Sequence, residues 1–133
     1  MIDIYELTKK TNNISLLYVE DNNMVREDTK TILEIFFAEI KTATNGAEGL
    51  EYHRDSSYDL IITDIRMPTM DGITMVKKIR EFDKDVPIVI ISAYDEDYNI
   101  NSMNYLNIEA YITKPFVVDD LINTLDRVST ILK

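Results

Sequence analysis

The feature that most constrains the fold is a regular alternation of short apolar segments with helical patterns. Five segments of four to six residues are typical of buried strands, at 14–19, 40–44, 58–63, 87–92 and 110–113. The third and fourth are almost continuously apolar, a pattern typical of parallel strands that are covered on both faces. We therefore expect a sheet that is buried on both sides.

Apolar residues between the strands recur at steps of three and four residues, which predicts helices. The strongest patterns lie at 25–40, 73–82 and 118–132, and weaker helices are predicted around 46–55 and 96–106. Strands and helices alternate with short connections, and right-handed crossovers leave few other arrangements. The sequence thus predicts a single α/β domain with a parallel sheet and helices on both faces.

Composition narrows the possible functions. A chain of 133 residues with 45% hydrophobic residues is large enough for one domain with a substantial core. The formal charge of −10 argues against direct, nonspecific binding of nucleic acid or an anionic membrane, because both require a cationic face. It leaves a basic partner or a metal open. The absence of cysteine excludes disulfides, thiolate zinc sites and cysteine nucleophiles.

The first 13 residues, MIDIYELTKKTNN, are predicted to be an extension that precedes a domain at 14–133. Acids interrupt them, so they do not form a signal peptide, and no apolar run is long enough to span a bilayer. We therefore expect a cytoplasmic protein. Ile4 and Leu7 favour one amphipathic helical turn, which would pack on the domain, mediate pairing or fray, and fraying is the default for a terminus.

Polar side chains end or follow four of the five predicted strands. Glu20 and Asp21 come after the first, Asp64 after the third and Lys114 after the fifth, while Ser92 ends the fourth. Ligands of open parallel sheets lie beyond the carboxyl ends of the strands. We therefore expect these five side chains to converge at one edge of the sheet.

Each of these residues also has a purely structural interpretation. Asp21 and Ser92 would cap helices, Asp64 would be a turn residue and Lys114 a surface lysine. Taken together, however, a single site explains all five more simply than five coincidences. Carboxylates with few other ligands suit Mg²⁺, and crowded acids without a cation would raise one another's pKa. The pattern predicts a Mg²⁺ site in which Asp64 is a carboxylate nucleophile.

Four blocks in order, LLYVEDN, YDLIITDIRMPTMDG, IVIISAYDE and AYITKPF, resemble the receiver domain of two-component response regulators. The resemblance covers about 14–132 and places the receiver domain at 14–133. It implies a doubly wound, flavodoxin-like sheet of five parallel strands in the order 2-1-3-4-5.

The resemblance also implies a role for each residue at the metal. Asp64 would be the phosphoacceptor and a ligand of Mg²⁺, or of Mn²⁺ in its place. Asp21 would bind the metal directly, Glu20 largely through water, and Arg66 through its backbone carbonyl. Arg66 and Tyr94 would flank the phosphoryl group and restrict water, which predicts slow self-dephosphorylation.

Around the phosphoryl group, the resemblance implies contacts from Ser92 and Lys114. Tyr111 would be an aromatic switch that moves inward when Ser92 shifts, although it is equally well read as a half-buried tyrosine on an edge strand. The Lys114–Pro115 bond is expected to be cis. Pro68 and Gly72 would form the tight loop after Asp64.

Three further residues carry smaller expectations. Asn107 is expected to adopt the left-handed conformation that ends a helix. Gly49 should weaken its helix by about 1 kcal/mol relative to alanine. His53, the single histidine, is expected at a surface position without ligand partners.

The leading hypothesis is a phosphorylation-dependent switch rather than an enzyme, with at most self-phosphorylation from small donors. A histidine kinase or phosphotransfer protein would supply the phosphoryl group. The face of the fourth predicted helix, fifth strand and last helix would then control a target protein or output domain, and the resemblance allows a phosphorylation-dependent homodimer through that face. Two alternatives are a Mg²⁺-dependent phosphohydrolase and a phosphorylation-independent binding module. The hydrolase is disfavoured because no second acid stands two residues after Asp64.

Overall fold

The structure is a computed structural model that describes residues 2–93 and 105–132. Its elements, in chain order, are α1 (Ile4–Thr11), β1 (Ser15–Val19), α2 (Asn23–Leu33), β2 (Glu39–Ala43), α3 (Gly46–Ser56), β3 (Leu60–Asp64), α4 (Gly72–Arg80), β4 (Ile88–Ala93), β5 (Ala110–Lys114) and α5 (Val118–Ser129). The helix predicted around 96–106 lies largely outside the described residues, as does Tyr94.

The five strands form one parallel sheet in the order β2-β1-β3-β4-β5, which confirms the predicted topology. The strand boundaries differ from the prediction by one or two residues. Asp64 and Lys114 are the last residues of β3 and β5 rather than the residues that follow them. The backbone of both residues is therefore fixed by strand pairing, which sets the position of each side chain.

Apolar side chains cover both faces of the sheet, as the sequence pattern predicts. In β1, Leu16 and Tyr18 point into a cluster shared with α1, α2 and α5, while Leu17 and Val19 point into a second cluster with α3 and α4. All four are at most 1% exposed. Because successive side chains of a strand alternate between faces, one short segment contributes to both halves of the core.

Helix α2 is shorter than its apolar pattern, which extends to Ile40. The helix ends at Leu33, and Ile40 belongs to β2. The backbone N–H groups of Phe36 and Phe37 both donate to the Leu33 carbonyl at the end of the helix. Both rings are buried in the same cluster as Leu33, so the periodic pattern continues through a turn that is not helical.

The N-terminal segment forms a packed helix, so the expectation of fraying is wrong. Asp3 caps α1 by accepting hydrogen bonds from the backbone N–H groups of Tyr5 and Glu6. Leu7 is 1% exposed, and the buried Thr11 hydroxyl donates to the Phe36 carbonyl at 2.6 Å. Burial of an apolar side chain together with a satisfied hydroxyl holds the helix against the domain.

The surface position expected for His53 is also wrong. Its side chain is fully buried, Nδ1 accepts a hydrogen bond from the Tyr58 N–H, and Nε2 lies 2.8 Å from Asp83 Oδ2. Burial tends to raise the pKa of Asp83. Hydrogen bonds from His53 and from two backbone N–H groups outweigh that effect and leave the pKa lowered. His53 thus ties α3 to the segment that follows α4.

Two smaller expectations can be compared directly with the backbone. Asn107 has φ 56°, the predicted left-handed conformation. Gly49 has a packing role that its helix propensity does not indicate, because a Cβ there would lie 2.6 Å from Met75 Sδ and 3.0 Å from a Val19 methyl. Among the described residues, every helix is too short or too polar to cross a bilayer.

Candidate functional site

The carboxyl ends of β1, β3 and β5 bring three charged side chains into contact. Lys114 Nζ donates hydrogen bonds to Asp64 Oδ2 at 2.7 Å and to Glu20 Oε1 at 3.0 Å. Glu20 is 1% exposed and Asp64 is 7% exposed. One ammonium group therefore joins two carboxylates that are otherwise removed from water.

A backbone amide holds the second oxygen of each buried carboxylate. Asp64 Oδ1 accepts from the Ile65 N–H at 2.7 Å, and Glu20 Oε2 accepts from the Asn22 N–H at 3.1 Å. Asn22 itself caps α2 by accepting from the Val25 N–H. The start of the helix and the orientation of Glu20 are therefore linked through Asn22.

Asp21 completes an acidic cluster. One carboxylate oxygen from each of Glu20, Asp21 and Asp64 lies within 4.8 Å of the others, and Asp21 is exposed to solvent. Clustered carboxylate oxygens with one open side are the donor set that Mg²⁺ prefers, since it binds through few acids and keeps several waters. The residues present therefore fit a hard divalent cation.

Burial and charge shift two pKa values in this cluster. Burial raises the pKa of Glu20, and the nearby Asp64 charge raises it further, although hydrogen bonds from Asn22 and Lys114 oppose the shift. Burial lowers the pKa of Lys114, but the hydrogen bonds and charges of Asp64 and Glu20 outweigh it and leave the pKa raised. Lys114 therefore remains charged at neutral pH and is the cation that offsets the buried acids.

The loop after Asp64 requires glycine at position 72. The Gly72 N–H donates to the Ile65 carbonyl at 2.7 Å. A Cβ on Gly72 would lie 2.0 Å from the Asp64 carbonyl oxygen, far inside van der Waals contact. Thr69 turns the same loop with φ 71°, and Asp71 then caps α4 through the Thr74 N–H. The loop therefore approaches the backbone of Asp64 directly.

The remaining predicted site residues lie on the strands and the loop beside the cluster. Ser92 follows Ile91, the residue that pairs with Asp64 in the sheet, and within the described residues it makes no hydrogen bond to Asp64 or Lys114. Arg66, in the loop after β3, has an exposed side chain. Tyr111 is half-buried on β5, an edge strand, and burial raises its pKa. The Lys114–Pro115 bond is cis.

Sequence reasoning missed Arg26, which contacts the loop that carries two of the acids. Its guanidinium, in α2, donates to the backbone carbonyls of Glu20 and Asp21. The available signal was an arginine five residues after Asp21, about one turn into a helix whose start was already predicted.

The chain resembles known proteins over most of its length. The family model described as the response regulator receiver domain matches residues 16–126. The chain belongs to this family. The receiver domain is 37% identical to the chemotaxis protein CheY of Treponema pallidum over 121 residues, which cover 89% of this chain and 82% of that protein.

Two further comparisons are with a longer regulator and a solved structure. The domain is 34% identical to the transcriptional regulatory protein DltR of Streptococcus agalactiae, covering 80% of this chain but only 48% of DltR, so it spans about half the length of that relative. A crystal structure of the CheX–CheY–BeF3–Mg²⁺ complex from Borrelia burgdorferi matches with TM-score 0.81, 25% identity and coverage of 95% and 98% of the two chains.

Proposed function

We propose that this receiver domain is a signalling switch that accepts a phosphoryl group on Asp64. The observation that carries the proposal is the contact of one lysine with two buried acids at 2.7 and 3.0 Å, beside a third acid that is exposed. A purely structural ion pair would not need a third carboxylate at the same place. A site in which Lys114 and a bound cation together offset three carboxylates and an incoming phosphoryl group accounts for all four groups.

The proposed cofactor is Mg²⁺, with Mn²⁺ as a substitute of similar coordination. Asp21 and Asp64 would hold it through their carboxylates and Arg66 through its backbone carbonyl, while Glu20 would act through water. When bound, the cation neutralises negative charge on the phosphoryl oxygens. The magnesium named in the Borrelia CheY complex supports this assignment for a related chain.

In the proposed transfer, a carboxylate oxygen of Asp64 attacks the phosphorus of a phosphohistidine. The new O–P bond forms as the P–N bond breaks, and the electron pair of that bond stays on the imidazole nitrogen. Lys114 and Ser92 would donate hydrogen bonds to the phosphoryl oxygens. Lys114 is already within 2.7 Å of Asp64, which supports its part in this step.

Signalling would follow from a rearrangement at β5. A shift of Ser92 toward the phosphoryl group would leave space for Tyr111, and the surface formed by β5, α5 and the segment predicted as the fourth helix would change. A partner that binds one state more tightly then shifts the population by its differential affinity. This surface would contact a target protein or an attached output domain, or a second copy in a phosphorylation-dependent homodimer.

The proposed donor is a histidine kinase or a phosphotransfer protein, in the cytoplasm. The acidic charge of the chain supports protein partners rather than direct contact with nucleic acid or a membrane. The phosphohydrolase alternative is weaker, because Arg66 occupies the position two residues after Asp64 where a second catalytic acid would be needed. Arg66 would instead help to restrict water, giving slow self-dephosphorylation.

The decisive experiment is incubation with Mg²⁺ and acetyl phosphate, followed by intact-mass measurement over time. We expect a lasting adduct of one phosphoryl group that is absent from Asp64→Asn and present in Asp55→Asn, a control that removes an exposed acid from α3. Rapid release of phosphate over many turnovers would favour the hydrolase. An adduct that persists in Asp64→Asn would refute the assignment of Asp64, and no adduct in any protein would favour a binding module.

A further inference from the structure

Arg26 holds the acidic loop by its backbone and makes no hydrogen bond to the carboxylates of Glu20 and Asp21. Nη1 donates to the Glu20 carbonyl at 2.8 Å and to the Asp21 carbonyl at 3.4 Å, while Nη2 donates to the Asn23 side-chain oxygen. The guanidinium thus spans the whole connection between β1 and α2. Its planar arrangement of donors can reach several acceptors at once, which a lysine ammonium at the end of a flexible chain cannot reproduce.

Arg26 and Lys114 interact with the cluster in different ways. Lys114 donates to carboxylate oxygens of Glu20 and Asp64, two of the three acids of the proposed metal site. Arg26 donates instead to the main-chain oxygens of Glu20 and Asp21. The Asp21 carboxylate makes no hydrogen bond with any described residue, so only its backbone is held in place, and Arg26 supplies part of that restraint.

The stability of α2 does not explain this arrangement. Arg26 lies in the first turn and a half of the helix, three residues after Asn23, where a positive charge opposes the helix dipole. Asn22 already provides the cap through the Val25 N–H. A half-buried arginine at this position is better accounted for by the loop that it contacts.

We propose that Arg26 is a positioning residue that fixes the loop of Glu20 and Asp21 in the conformation that binds the divalent cation. This inference rests on the metal site of the proposed function and extends it to a residue that touches neither metal nor phosphoryl group. Groups that orient metal ligands without binding the metal are known to affect affinity strongly, since a ligand that must be ordered on binding lowers the affinity.

Positioning and simple electrostatics predict opposite signs for the same substitution. If Arg26 acted only as a nearby positive charge, Arg26→Gln would remove a repulsion and tighten binding of Mg²⁺. If it positions the loop, Arg26→Gln should weaken binding of Mg²⁺ by about tenfold. Arg26→Lys keeps the charge but loses the planar donors, so positioning predicts weaker binding and electrostatics predicts no change.

The test is calorimetric titration of the intact protein with MgCl₂ alone, for wild type, Arg26→Gln, Arg26→Lys and Arg54→Gln. Arg54 is an exposed arginine on α3 that lies over the Phe82 ring, so its removal changes the net charge equally but leaves the loop intact. We expect weaker binding in both Arg26 variants and unchanged binding in Arg54→Gln. Thermal melting without metal would show whether each variant is folded.

A second readout separates positioning from loss of structure. Formation of the phosphoryl adduct from acetyl phosphate should need more Mg²⁺ for half of its maximal rate in the Arg26 variants, while the rate at saturating Mg²⁺ stays close to that of wild type. Unchanged or tighter binding of Mg²⁺ by Arg26→Gln would overturn the inference, as would equal weakening in Arg54→Gln. If wild type binds Mg²⁺ but forms no adduct, the proposed function fails while the titrations still decide the role of Arg26. A wild type that does not bind Mg²⁺ refutes both.

Discussion

Replacing Lys114 with methionine tests the electrostatics of the site most directly. The substitution keeps an unbranched side chain of similar length but removes the two contacts of 2.7 and 3.0 Å to Asp64 and Glu20. Both carboxylates would remain buried without a cation. Breaking a buried ion pair on one side costs roughly 3–5 kcal/mol, and the 26% exposure of the Lys114 side chain places this case near the lower end, at about 3 kcal/mol.

For a chain of this size, that loss should lower the melting temperature by about 10 °C at neutral pH. The difference should shrink at about pH 4.5, because burial already raises the pKa of Glu20 and protonation removes the uncompensated charge. Because the pKa of Glu20 is raised in the folded protein, protonation of Glu20 stabilises the fold at low pH. This stabilisation is lost as the pH rises through the folded-state pKa. Added Mg²⁺ should restore part of the lost stability by binding the folded state.

Scanning calorimetry of wild type, Lys114→Met and Lys9→Met is the appropriate measurement. Lys9 pairs with Glu6 at 3.4 Å, but the two side chains are 55% and 58% exposed, so its removal should shift the melting temperature by no more than about 2 °C. The reasoning is refuted if Lys114→Met and wild type have the same melting temperature at neutral pH. It is also refuted if the melting temperatures of the two proteins differ by the same amount at neutral pH and at about pH 4.5.

Three other changes have predictable outcomes. Gly72→Ala places a Cβ 2.0 Å from the Asp64 carbonyl oxygen. We therefore expect urea unfolding to show a free energy of unfolding lower by about 3 kcal/mol, and the phosphoryl adduct to form much more slowly. Wild-type stability and adduct formation would contradict the close approach. Gly49→Ala gains helix propensity but meets Met75 Sδ at 2.6 Å, so unfolding should show a net loss of about 1 kcal/mol, and a gain would indicate that Met75 moves aside easily. Asp83→Asn should cost about 1 kcal/mol at neutral pH by weakening the contact to His53. Because the pKa of Asp83 is lowered, its contribution is present above the ordinary value of about 3.9 and is lost as the pH falls through the folded-state value, so melting curves of wild type and variant should converge in acid.

Sequence reasoning succeeded where local patterns are repeated along the chain. Strand and helix periods, and the parallel sheet that follows from their alternation, are properties of neighbouring residues, while the strand order came from the family resemblance and is confirmed. The closeness of Glu20 to Asp64 follows from the same topology, because β1 and β3 are neighbours in the sheet. No knowledge of side-chain packing was needed for these inferences.

The failures involve contacts between residues that are distant in sequence. The position of His53 depends on Asp83, 30 residues away, and that of Thr11 on the Phe36 carbonyl, 25 residues away. Neither pair has a local signal, since a lone histidine and a terminal threonine look like surface residues. The end of α2 was misplaced for a related reason, because Phe36 and Phe37 preserve the apolar spacing after the helical hydrogen bonds have stopped.

The docked helix α1 has a practical consequence for defining this domain. The family match begins at residue 16, outside α1. Leu7 is nevertheless buried in the same cluster as Phe36, and the Thr11 hydroxyl donates to the Phe36 carbonyl. A truncation made at the limit of the match would remove α1 and its buried side chains from the core. It would leave the Phe36 carbonyl without the Thr11 hydroxyl and expose part of the aromatic cluster of Phe36 and Phe37. Aggregation of such a shortened protein would then reflect the cut rather than a property of the domain.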